Sequence, residues 1–147
     1  MGYDVWGSWS SGVGPNSPLD DTCAPAADQV GSVVSAVNAW TSARFPVNQI
    51  VLGVPSYGHS YFVARSKATV NGIIAQYPAF NKSLQPVGDS WDAPPSVDVC
   101  GAPTPQGGIF DFWGLIKGGF LAADGTAAQD ILYRYDKCSQ TVSLFIF

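Results

Sequence analysis

A proline closes one amphipathic stretch and a continuous apolar run follows at once, a junction that limits the fold of these 147 residues more than any other feature. Val30, Val33, Val34, Val37 and Trp40 recur at helical spacing, with Asp28 near the start, Arg44 near the end and Pro46 as the stop. The spacing predicts a helix over residues 25–45, with its terminal charges matched to the helix dipole. Gln49-Ile50-Val51-Leu52-Gly53-Val54-Pro55 then runs without polar alternation. That pattern is expected of a strand covered on both faces in a parallel sheet. With an apparent strand end at the N-terminus, helix and strand make a βαβ unit with a right-handed crossover. Ligands of α/β sheets gather at the carboxyl ends of the strands. Here that edge carries Tyr3, Asp4 and a tryptophan-containing loop after the first strand, and Ser56, Tyr57 and His59 after the second.

The remainder changes character, and we expect a domain boundary near residue 64. Residues 66–77 predict a short helix with Val70, Ile73, Ile74 and Tyr77 inward, residues 110–121 a second one ending at Gly118-Gly119, and residues 131–135 a strand. Between them, residues 78–108 are rich in Pro, Gly, Asp and Ser and predict a loop. No internal repeat is visible. Only 12% of residues are charged, which excludes a disordered charged tail. The net charge is −4 and Lys and Arg form no cluster, so no nucleic-acid partner is expected. No window approaches the roughly 18 apolar residues of a membrane span, and Met1-Gly2-Tyr3-Asp4 does not begin a leader of the basic-then-apolar kind.

The chemistry is narrowed by what residue types are present. All eleven acidic residues are Asp, and there is no Glu. The G-x-S-x-G elbow of serine hydrolases does not surround Ser56, and no glycine run leads into Lys-Ser or Lys-Thr as in a phosphate loop. Cys23, Cys100, Cys138 and the single histidine His59 do not make a four-ligand zinc site, so no metal or cofactor is expected. The cysteines are either buried thiols or one disulfide with a thiol left over. Asn81-Lys82-Ser83 fits the N-glycosylation triplet, a triplet that chance also supplies. Trp6 and Trp9 lie in a Gly/Ser loop, where they either plug a core or offer a stacking platform to a sugar or base. Asp4 is either a loop cap or, beside the Tyr3 phenol, a holder of an amide group.

Four blocks carry a resemblance. Met1-Gly2-Tyr3-Asp4-Val5-Trp6-Gly7-Ser8-Trp9 resembles the M-x-Y-D segment of glycoside hydrolase family 18 chitinases, and Gly53-Val54-Pro55-Ser56-Tyr57-Gly58 resembles the G-[IV]-P-x-Y-G-R strand of the same family. Gly107 to Ile116 and Tyr133 to Thr141 resemble fungal members. The blocks keep the family's order and cover nearly the whole chain.

The resemblance implies a partial (β/α)8 TIM barrel, about strands six and seven, over residues 1–63, with residues 64–147 forming an incomplete α+β chitinase insertion domain. It implies a fragment of a secreted, extracellular chitinase. The family hydrolyses β-1,4-linked N-acetylglucosamine polymers with retention, using the substrate's own acetamide oxygen as nucleophile. A Glu ending a D-x-x-D-x-D-x-E motif supplies the proton. No Glu is available here, so no catalytic residue is assigned and these residues alone are expected to be inactive. The alternative is a non-catalytic chitin-oligosaccharide-binding protein. Substrate-binding roles carry over to Tyr3 and Asp4, which match the residues that orient the acetamido group. Tyr57 matches a tyrosine of the same subsite, and Trp9 matches a tryptophan that stacks on a sugar ring. His59 stands where the family has arginine and is a further candidate for the site. Two sheet edges left unpaired predict self-association. The resemblance stops after Thr141, where the family reads on into Pro-Phe. This predicts a misread coding region, which the sequence of the transcript past that point would check.

Overall fold

The computed structural model describes residues 1–145, so the last two residues of the departing tail, Ile146 and Phe147, lie outside the described residues. In chain order the elements are α1 (Val33–Ser42), β1 (Tyr57–His59), α2 (Arg65–Ala68), β2 (Thr69–Val70), β3 (Ile73–Ile74), β4 (Ser96–Val97), β5 (Pro103–Thr104), β6 (Ile109–Asp111), α3 (Phe112–Lys117), β7 (Leu132–Asp136) and β8 (Thr141–Phe145). Strands pair as β1–β6, β2–β3, β4–β5 and β7–β8, and every one of these pairings is antiparallel.

The expected parallel βαβ unit is therefore not formed among the described residues, and they close no barrel. The helix is shorter than its apolar spacing predicts. Gly31 takes φ +136°, Ser32 caps the helix through a reciprocal Ser32–Ser35 box, and Ala26–Asp28 is a separate 3-10 turn. Val30 and Asp28 thus fall outside α1, and no residue of α1 is buried. The run read as a buried strand is extended but unladdered. It meets the N-terminal segment through Gly2 N–H to the Gly53 carbonyl, 2.9 Å, and Val51 is 92% exposed. A strand needs a continuous ladder on at least one side, and one bond at Gly53 does not supply it.

Two further helices are corrected. The stretch read as one helix over 66–77 is α2 followed by a hairpin. Asn71 and Gly72 both take positive φ, 52° and 76°, the pair of left-handed residues that a tight hairpin turn requires. Of its expected inward residues only Ile74 is buried, while Val70 and Ile73 are exposed. The stretch over 110–121 begins as β6 and becomes helical only at Phe112; it stops at Gly118-Gly119 as the sequence predicts, with Gly119 at φ +78°. The strand expected over 131–135 is present as β7.

Long-range ties hold these small elements together. Cys23 and Cys138 form a disulfide across 115 residues, and Cys100 is free and exposed, so the reading of all three as buried thiols is set aside. Beside the disulfide, Leu19 N–H donates to the Ser139 carbonyl and Ser139 itself is buried. Arg134 on β7 donates to the Ile74 carbonyl, 2.7 Å, and to Gln76 Oε1, 3.1 Å, pinning the β2–β3 hairpin. The Pro/Gly/Asp-rich loop is organised by carboxylates. Asp92 accepts the N–H groups of Gly88, Gly108 and Ile109, and the side chain of Gln106. Asp89 accepts those of Trp91 and Asp111.

The buried apolar set is small: Trp6, Ala24, Ala68, Ile74 and Leu121, with Pro18 fully enclosed. Trp6 stacks on Tyr77 at 5.3 Å and 19°. Gly14 permits that stack, since a Cβ there would lie 2.1 Å from the Trp6 ring. The surface totals 9557 Å². A folded monomer of 15.5 kDa is expected to expose about 7,200 Å². The excess includes Met1, Trp40, Val47, Val51 and Val54, all on the N-terminal side.

Candidate functional site: a braced carboxylate beside an exposed indole

The two mid-chain motif blocks meet directly. β1 and β6 pair with Tyr57 opposite Asp111, Gly58 opposite Phe110 and His59 opposite Ile109. Side chains two apart on a strand share a face, so Tyr57 and His59 project together. Both reach Asp4. The Tyr57 hydroxyl donates to Asp4 Oδ1 at 2.6 Å and His59 Nε2 lies 3.0 Å from the same oxygen. A carboxylate only accepts, so His59 carries its proton on Nε2 in this contact. Asp4 Oδ2 has no hydrogen bond among the described residues and Asp4 is 43% exposed.

Asp4 is held in an uncommon backbone state, φ +56°. Aspartate tolerates the left-handed region better than most residues. Asn16 stabilises it on both sides: Asp4 N–H donates to Asn16 Oδ1, 2.9 Å, while Asn16 Nδ2 donates to the Tyr57 carbonyl, 3.0 Å. Ser17 Oγ donates to the Gly2 carbonyl and closes the same loop. Burial, then the hydrogen bond to the Asp4 carboxylate and its charge, pushes the Tyr57 phenol far above its ordinary value. Tyr57 is thus a fixed donor at any physiological pH. Tyr3 sits edge-on to Tyr57, ring centres 6.1 Å apart, but does not hydrogen-bond to Asp4.

The two loop tryptophans divide. Trp6 is 3% exposed and serves the core, whereas Trp9 is 61% exposed. One side of the Trp9 ring lies against Gly7, where a Cβ would fall within 2.2 Å of it. Trp9 stands edge-on to His59 at 6.2 Å, and Lys82 Nζ donates to the Trp9 carbonyl at 3.2 Å. Beside Trp9 and His59 a hollow of about 180 Å³ opens, walled also by Ser8, Tyr61, Gln85 and Gln106. The Tyr61 hydroxyl is buried without a hydrogen-bond partner among the described residues. Burial, reinforced by the Asp4 charge, has its pKa pushed up to about 12. No group of three or more His, Cys, Asp or Glu among the described residues could hold a metal ion.

All five residues singled out from the sequence are therefore drawn into one neighbourhood, linked as Tyr3–Tyr57–Asp4–His59–Trp9. Asn16, Tyr61, Gln85 and Gln106 were not foreseen. Asn16 stands in a Gly-Pro-Asn-Ser-Pro loop, and that turn chemistry marks a loop but not its bond to Tyr57. Tyr61 continues the alternation of Tyr57 and His59, a local signal that could have found it. Gln85 and Gln106 come from distant parts of the chain, for which the sequence gives no local signal.

The fold defines the class first. The chain superposes on the crystal structure of a chitinase from Rhizomucor miehei with a TM-score of 0.80 and 28% identity, covering 100% of this chain and 38% of that one. In sequence it is 57% identical over 141 residues to a chitinase-like effector of Moniliophthora perniciosa, covering 95% of this chain and 32% of that protein. It is 51% identical over 144 residues to a chitinase-like effector of Moniliophthora roreri, covering 96% and 35%. The chain is a relative of the glycoside hydrolase family 18 chitinases. It spans about a third of the length of the curated relatives it matches. No family model matches it.

Proposed function

We propose that this chain carries the acetamide-recognising side of an N-acetylglucosamine subsite and binds chitin oligosaccharides without cleaving them. The observation that carries the reading is the division of labour on Asp4. Oδ1 is taken by Tyr57 and His59, while Oδ2 has no partner among the described residues. An acetamide N–H placed against Oδ2 completes the carboxylate without displacing a protein bond. The exposed Trp9 face offers apolar area to a pyranose ring, beside a hollow walled in part by Gln85 and Gln106.

Hydrolysis with anchimeric help from the acetamide still needs a proton for the departing sugar oxygen. A positioned acid contributes roughly 10²–10⁴ in rate. No Glu exists in these residues to supply it. Asp4 is a poor substitute, because its Oδ1 is already engaged by Tyr57 and His59 and the proposed role of Oδ2 is to accept the acetamide N–H. In this reading residues 1–63 correspond to the strand-six and strand-seven edge of a (β/α)8 barrel and residues 64–147 to the family's α+β insertion. The protein acts outside the cell, where the Cys23–Cys138 disulfide persists.

A tryptophan-fluorescence titration with chitin hexasaccharide tests this. Half a groove should bind at about millimolar Kd, near −4 kcal/mol. The expected outcome is a saturable change that Trp9→Ala and Asp4→Ala each abolish, with no reducing ends released over a long incubation. A folded protein that gives no saturable response sinks the binding claim, and steady release of reducing ends sinks the non-catalytic one.

A further inference from the structure

The Asn81-Lys82-Ser83 triplet has a place in the fold that the binding site does not use. Its backbone is fixed: Asn81 N–H donates to the Phe62 carbonyl at 2.8 Å, and Leu84 N–H donates to the Asn81 carbonyl at 3.2 Å. The Asn81 side chain is exposed and oriented, because Oδ1 accepts the Ser83 N–H at 2.9 Å. That leaves Nδ2 directed away from the bond, with no partner among the described residues. The next residue, Lys82, donates its ammonium to the Trp9 carbonyl at 3.2 Å. Asn81 is thus the chain neighbour of a residue whose side chain reaches the Trp9 backbone.

We infer that Asn81 is an N-glycan attachment site and that the stem of that glycan occupies the Trp9 face as a tethered competitor. This second part rests on the sugar-binding reading above. The attachment transfers an oligosaccharide from a lipid diphosphate donor. Asn81 Nδ2 bonds to the anomeric carbon, the carbon–oxygen bond to the diphosphate breaks, the lipid diphosphate leaves with the electron pair, and the amide gives up one proton. The first two sugars of such a glycan are β-1,4-linked N-acetylglucosamine, the repeating unit of the proposed ligand. The two-sugar stem is longer than the lysine side chain that already spans from this segment to the Trp9 backbone, which puts the Trp9 face within the reach the proposal requires. A flexible short tether holds its ligand at an effective concentration of about millimolar, comparable to the affinity expected of a half-groove. Stem and free oligosaccharide then compete on nearly equal terms.

The experiment secretes the chain from a eukaryotic host and measures its intact mass before and after glycan-removing amidase. The mass increment should be lost on amidase treatment and absent in both Asn81→Gln and Ser83→Ala. Removing the glycan should tighten hexasaccharide binding about 2-fold, a gain that both variants share and that Trp9→Ala erases. An unmodified secreted protein overturns the attachment. Equal affinity with and without glycan overturns the competition while leaving the binding site standing. Absence of binding in every form, amidase-treated protein included, overturns the site reading itself and the competition with it.

Discussion

The segment from Val30 to Val54 and the loop from Pro86 to Ile109 make an instructive pair. The first is rich in valine, carries the longest helix and has the stronger periodicity, yet Val34, Trp40, Val51 and Val54 are all exposed. The second has little regular structure and much Pro, Gly and Asp, yet it is cross-tied by Asp89 and Asp92 at almost every turn. Apolar area stabilises only when something covers it, whereas a carboxylate that gathers backbone N–H groups organises a loop locally. Val87, Trp91, Val97 and Val99 of the second region are as exposed as the valines of the first, so the two differ in how their backbones are tied rather than in how much apolar surface they cover. The candidate site falls where a braced N-terminal loop, Met1 to Pro18, meets the tied half through Tyr57 and His59.

The comparison is most easily broken at the disulfide that links the two halves. Closing a loop of this length removes about 4–5 kcal/mol of denatured-state freedom, a large share of a typical domain's stability of roughly 5–15 kcal/mol. Reduction, or Cys23→Ser with Cys138→Ser, should unfold the N-terminal side at room temperature, read by circular dichroism. A melting temperature unchanged by reductant contradicts this. Next in size, Trp6→Ala should cost about 3–5 kcal/mol, as expected for a buried tryptophan. Trp9→Ala should shift stability by less than about 0.5 kcal/mol, as expected for an exposed position. Equal losses in urea titrations would erase the distinction between core and platform.

Asp92 sharpens the other side. Asp92→Ala should cost about 2–3 kcal/mol by orphaning several backbone donors at once. Burial raises its pKa, but the hydrogen bonds from Ile109, Gly88, Gln106 and Gly108 outweigh burial and hold it below the ordinary 3.8. A depressed folded-state value stabilises fully above the unfolded pKa and fades as the pH falls through the folded one. Acid titration of the wild type should therefore lose stability below about pH 4, and Asp92→Asn should flatten that slope.

How much of this was legible follows from the range of each interaction. Tyr3, Asp4, Trp9, Tyr57 and His59 could be named in advance because short family-like motifs carry them residue by residue, and the fold brings them together; their role in binding is the proposal. The Asn71-Gly72 turn was equally local, and its dipeptide is the strongest short hairpin signal. The helical spacing of Val70, Ile73, Ile74 and Tyr77 competed with it in the sequence, and the turn won. Gln49 to Pro55 failed for a different reason. A continuous apolar run states that a strand expects cover on both faces, but cover is supplied by other segments, and within the described residues only the segment 1–3 lies against Gly53, with one backbone bond from Gly2. The bonds made by Asn16, Asp92 and Arg134 left no sequence trace, since each joins a side chain to backbone distant in the chain.

The smallest effect on stability is expected at exposed valines, and there the two regions should differ in solution behaviour. Val51 is 92% exposed and Val54 is 71% exposed, on a run that joins no strand ladder among the described residues. An exposed, flat, apolar edge templates pairing with another chain, and a lysine on it is the usual remedy. Val51→Lys should therefore change unfolding free energy by no more than about 0.5 kcal/mol. In multi-angle light scattering it should shift the wild type's concentration-dependent association toward monomer. A lysine at exposed Val87 in the tied loop should leave the association unchanged. If both lysines dissociate the protein equally, net charge and not the open edge drives the assembly. If neither does, the edge at Val51 drives no assembly, and the contrast between a loosely held run and a cross-tied loop fails at the point where it predicts a partner.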